Sequence, residues 1–107
     1  MLEETDIVDI VLEDSDGTPF LCIVDGGFTE DPAERWALLQ EKLHNYARYM
    51  ALPKFKLKYP DPTVRSKAWI EIKYSVEPTP AMLAITSVPG VEDIDRIVVK
   101  YSAGPPL

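Results

Sequence analysis

The 107-residue chain has one cysteine, Cys22, and one histidine, His44. It also lacks any apolar run near the roughly 20 residues that a membrane-spanning helix needs. A single cysteine excludes an intramolecular disulfide and fits a reducing compartment. One histidine with one cysteine falls short of the ligand sets that hold structural zinc. The opening Met1-Leu2-Glu3-Glu4-Thr5-Asp6 is acidic and has no apolar core, so a secretory signal is not expected. The expected location is therefore the cytoplasm, with no membrane partner. Phosphate loops are missing too. Gly26-Gly27 lies between a strand and a helix, but no lysine follows, and Asp25, Glu30 and Asp31 would repel a phosphate. Asp14-Ser15-Asp16-Gly17 opens like a calcium loop, yet its glycine stands fourth rather than sixth, and strands flank it. It reads as a hairpin turn. No catalytic, metal or cofactor constellation emerges.

What is present is an ordinary globular composition, 46% hydrophobic and 27% charged. That predicts one domain over residues 1–101, followed by a disordered tail at 102–107. The net charge of −7 is unevenly spread. Residues 1–35 hold eleven acidic residues against one basic, whereas residues 36–107 hold ten basic against seven acidic. Such asymmetry marks either a solvated acidic hairpin or an interaction surface.

The periodicities predict two strands, Ile7–Glu13 and Pro19–Asp25, joined as a hairpin through Asp16-Gly17. A long amphipathic helix follows, from Pro32 to about Leu52. Asp31 is its cap, Pro32 its first residue, and Glu34 completes a capping-box pattern. Its apolar stripe is Trp36, Leu39, Leu43, Tyr46 or Ala47, and Met50. Pro53 stops it. Residues 53–67 read as a loop. A third strand spans Lys67–Val76, a short helix runs from Thr79 to about Val88, and a fourth strand spans Ile94–Tyr101. The expected fold is a two-layer α+β domain of ββαβαβ order. About four mainly antiparallel strands would carry one long and one short helix on a single face.

Three candidate surfaces follow. Leu38, Lys42, Asn45 and Tyr49 form a second flank of the long helix that packing on one sheet leaves unexplained. The stretch Lys54-Phe55-Lys56-Leu57-Lys58-Tyr59 alternates lysines with apolar residues, as along a strand with a basic face. With Trp69 it would suit single-stranded nucleic acid, although a pI of about 4.6 weighs against that. The plainer reading is an edge protected by lysines, or a patch that docks the acidic hairpin of a neighbouring subunit. The third surface is a ligand or enzymatic group made of Asp9, Asp25, Lys42 and Tyr46. Cys22 reads as a core thiol, and His44 as a flank residue of the helix.

Asp6-Ile7-Val8-Asp9, Ile23-Val24-Asp25, Leu38-Leu39-Gln40-Glu41-Lys42-Leu43-His44-Asn45-Tyr46 and Tyr59-Pro60 together resemble the bacterial family of small domains of unknown function catalogued as DUF6572. The resemblance covers most of residues 5–76, and Phe28 stands where members carry an aromatic after the second strand. It implies a bacterial source and no known activity, and it draws attention to Asp25, Gln40, Lys42 and Tyr46. The expected function is a non-enzymatic protein-interaction module, self-associating or binding another protein.

Overall fold

Asp14 closes the first hairpin with its own side chain. Its Oδ1 accepts the backbone N–H groups of Asp16 at 2.9 Å and Thr18 at 3.0 Å, and Gly17 adopts φ 78°. This Asx-type turn joins β1 (Ile10–Glu13) to β2 (Pro19–Asp25). The structure, a computed structural model, describes residues 1–104. The chain continues through α1 (Pro32–Met50), α2 (Pro53–Lys58), α3 (Pro62–Arg65), β3 (Trp69–Tyr74), α4 (Pro80–Leu83), β4 (Ser87–Pro89) and β5 (Arg96–Ala103).

Every helix begins with proline at its first position. The fixed φ of proline suits that site, and its missing N–H is not needed there. Side-chain caps precede three of them. Asp31 accepts from Glu34 N–H, Asp61 from Thr63 N–H and Thr79 from Met82 N–H. Pro53 therefore does not simply end α1, which closes at Met50, but starts the next helix.

The fold is α+β, with two corrections to the expected sheet. Among the described residues it has five strands, in the order β1-β2-β3-β5-β4. It is mixed rather than mainly antiparallel: the β1–β2 and β4–β5 pairs are antiparallel, while β2–β3 and β3–β5 are parallel. Parallel neighbours need crossover connections. The first runs through α1, α2 and α3, and the second through α4 and β4. The short strand β4 lies where the sequence suggests a continuing helix; three residues are too few to show a period. The residues read as a tail, Ser102 and Ala103, complete β5. Residues 105–107 lie outside the described part.

Both crossovers cover the same face of the sheet. Leu21, Ile23, Ile70, Ile72, Ile97 and Val99 form the core with Leu39, Leu43, Tyr46 and Met50 of α1. Tyr101 shares that face because it pairs with Ile72. Its hydroxyl meets Met82 O at 2.5 Å and Ile85 O at 2.8 Å, which fixes the α4 connection there. The other face carries Ile10, Leu12, Phe20, Cys22, Trp69, Glu71, Lys73, Val98 and Lys100, as the alternation of strand side chains requires.

The buried stripe of α1 is Arg35, Leu39, Lys42, Leu43, Tyr46, Ala47 and Met50. Trp36, expected in the core, is 39% exposed. The stripe keeps its steps of three and four, but two of its members are charged. Reading only apolar residues rotates the helix by one position at its start. The expected basic strand at Lys54–Tyr59 is the helix α2, which buries Phe55 and leaves Leu57 82% exposed.

Candidate functional site

Lys42 is fully buried on α1, and its ammonium donates to Asp9 Oδ1 at 2.9 Å, to Glu4 O at 3.1 Å and to Met1 O. Asp9 Oδ2 accepts from Val24 N–H at 2.9 Å, and its Oδ1 also meets the amino group of Met1. Tyr46 accepts from Asp9 N–H at 2.8 Å and donates to Cys22 O at 2.7 Å. Burial by itself would raise the Asp9 carboxyl. The hydrogen bonds from the Met1 amino group, Val24 and Lys42 outweigh it and hold the group below its ordinary 3.8. Burial pushes the Tyr46 phenol well above its ordinary range.

Three of the four proposed ligand residues thus meet, and the fourth lies elsewhere. Asp25 is buried against Arg35, whose Nε and Nη2 both reach Asp25 Oδ2 at 2.9 Å. The same guanidinium donates to Glu77 O at 2.9 Å and Val76 O at 2.7 Å. A third clamp repeats the pattern: Arg65 donates to Tyr59 O, Pro60 O and Asp93 Oδ2 at 2.8, 2.9 and 2.6 Å. Each buried cation pairs with one carboxylate and holds an irregular segment through its carbonyls. Among the described residues no buried side-chain nitrogen or oxygen lacks a partner. The Asp9–Lys42–Tyr46 group therefore spends its polar atoms inside the protein, as a clamp on residues 1–9.

The proposed interaction flank is largely covered. Lys42 lies under the N-terminal segment, Asn45 donates to Thr5 O at 2.8 Å, and Tyr49 packs edge-on against Phe55 at 5.8 Å. Leu38 packs half-buried against the core. Of the lysines, Lys56 pairs with Glu92, while Lys54 and Lys58 stay exposed. Phe55 is wholly buried and Tyr59 nearly so, which removes two of the three aromatics a nucleic-acid strand would stack on; Trp69 stays half-buried, stacked on Phe20. Cys22 is buried in β2; burial and the nearby Glu71 carboxylate push its thiol up to about 11, far from a reactive thiolate. Among the described residues no group of three or more His, Cys, Asp and Glu is placed to hold a metal, and no helix is long and apolar enough to cross a membrane.

Two other surfaces emerge. A groove of about 590 Å³ runs between α1 and the α4–β4 connection. Leu43, Ala47, Ile85, Val88 and Val91 give it an apolar lining, and Gln40, His44 and Arg48 follow one another along its α1 side. The steps of four place those polar residues on one line of the helix. That spacing was legible in the sequence, but the opposing wall was not, because it depends on β4. The second surface is the uncovered face of the sheet. Phe20 and Trp69 stack across β2 and β3 with centroids 4.4 Å apart, and the Lys100 ammonium stands 4.0 Å from the Trp69 ring centre. Compared with protein-family models, with curated proteins and with solved structures, the chain shows no match.

Proposed function

We propose that the chain is a non-enzymatic protein-interaction module that self-associates through the uncovered face of its sheet. The observation that carries this reading is the one-sided covering of a sheet whose three central strands are parallel. Such strands are normally covered on both faces. Here the second face presents Leu12, Phe20, Trp69 and Val98, with Val98 48% exposed. A second copy suits it better than an unrelated partner because of the charge layout. The acidic hairpin of β1 and β2 lies at one edge of the sheet, and Arg96 and Lys100 lie on β5 towards the other. A two-fold axis parallel to the strands sets apolar ladder against apolar ladder. It also lays the acidic edge of each copy over the basic edge of its partner. Kinship with the DUF6572 family belongs to the same proposal and rests on the residues quoted for it above. Residence in the cytoplasm is likewise proposed, on the single buried cysteine.

Sedimentation of the full chain at low and high salt tests the reading. A dimer that weakens as salt screens the rim charges is expected. Val98→Asp should shift it to monomer while leaving the circular dichroism spectrum intact. A strict monomer at every concentration and salt level would overturn the proposal.

A further inference from the structure

We infer that the groove between α1 and the α4–β4 connection binds an aliphatic carboxylate, with the chain along the apolar floor and the head group on Arg48. This site is separate from the sheet face argued above and does not depend on it. Its volume of about 590 Å³ lies within the range of about 300–1,000 Å³ typical of small-ligand pockets. The side chains of Leu43, Ala47, Ile85 and Val88 give a hydrocarbon chain an apolar floor.

The charge at the rim selects the head group. No acidic residue lines this groove, in a chain of net charge −7 whose acidic residues outnumber its basic ones by eighteen to eleven. Arg48 is exposed at the rim and makes no ion pair among the described residues. The buried arginines differ: Arg35 and Arg65 are each consumed by a carboxylate and by carbonyls. A guanidinium presents a planar fork that matches a carboxylate in two parallel hydrogen bonds. His44, one turn earlier on the same line, supplies a further donor.

The groove is also preformed. The Tyr101 hydroxyl bonds Met82 O and Ile85 O, Ile94 N–H bonds Val91 O at 2.7 Å, and Gly90 N–H bonds Asp95 O at 3.0 Å. Any side chain at Gly90 would run into Ile94 O, 1.6 Å from where its Cβ would stand. The wall opposite α1 is therefore fixed before a ligand arrives, which lowers the ordering cost of binding.

Titration of the isotopically labelled full chain with decanoate, kept below its micelle-forming concentration, tests the assignment. Methyl resonances are the readout. Saturable shifts are expected at Ala47, Ile85 and Val88, while Leu12 and Val98 on the far sheet face stay still. Decanol, acetate and decylammonium should bind far more weakly. Arg48→Gln, at an exposed position, should weaken decanoate roughly tenfold, as the loss of a charge-assisted contact implies. Ala84→Trp should block the groove. Equal binding of decanol and decanoate would overturn the inference, and so would indifference to Arg48→Gln. Saturation by an acidic, leucine-rich peptide with no response to decanoate would also refute it, marking the groove as a protein-docking site instead.

Discussion

Lys42 occupies the helical stripe that its neighbours Leu39, Leu43 and Tyr46 define, and its ammonium finds one carboxylate and two carbonyls there. Asp9 is the anionic half of that clamp. Replacing it with asparagine keeps the shape and removes the charge, leaving a buried ammonium without its counterion. Breaking such a pair costs about 3–5 kcal/mol. The folded-state pKa of Asp9 is lowered, so its contribution is present above the unfolded value near 3.8 and is lost as pH falls through the folded value. Urea unfolding of Asp9→Asn should therefore show a large deficit near neutrality that shrinks as pH drops below about 3.8. A deficit that stays constant through that range would assign the loss to packing instead. Asp9, Lys42 and Tyr46 were read from the sequence in one group with Asp25, which instead meets Arg35, and the role of the three was not legible. The clamp's other partners are backbone atoms of residues 1, 4, 22 and 24, and a residue alphabet carries no sign of where carbonyls will point.

Helix α1 was the most legible element, because its cap, its first proline and its period all agree on its start. Its facing was less legible. Trp36 is apolar and aromatic, so it drew the stripe towards itself, whereas the buried position one residue earlier belongs to Arg35. The two readings differ in measurable cost. A fully core tryptophan cut to alanine costs about 3–5 kcal/mol. With Trp36 39% exposed, Trp36→Ala should fall below that range, at about 1–3 kcal/mol, against about 2–5 kcal/mol for Leu43→Ala. The same contrast holds in α2, where the alternation of lysines and apolar residues mimics a strand. In a helix of six residues, Phe55 and Leu57 lie on different sides, and only Phe55 meets Tyr49 and Tyr59. Phe55→Ala should destabilise by about 3–5 kcal/mol and Leu57→Ala by no more than about 0.5 kcal/mol. Equal losses at the two positions, read from chemical denaturation, would restore the strand reading.

At the scale of the whole molecule, the sheet and α1 make a frame; Lys42 and Arg35 of α1 fasten irregular chain to it, and Arg65 of α3 fastens one loop to another. Lys42 holds residues 1–9, Arg35 holds the segment after β3, and Arg65 holds the turn between α2 and α3 together with Asp93. None of the three shares a partner with another. Their tethers should therefore open separately, since coupling between substitutions needs contacts or shared partners. Strand order had no such local signature. The parallel pairs join residues far apart in the chain, Leu21 with Ile70 and Ile70 with Val99, so periodicity marks the strands without saying which ones meet. Amide exchange can report on frame and tethers at once. In Lys42→Met the amides of Leu2 and Ile7, which bond Val24 O and Glu4 O, should exchange faster. Those of β3 and β5 should keep their protection relative to the global opening rate. In Arg65→Met the accelerated amides should be those around Tyr59 and Asp93, with Leu2 and Ile7 unmoved. If both variants loosened one common set of amides, the tethers would be parts of a single cooperative unit, and the division into frame and fastenings would not hold.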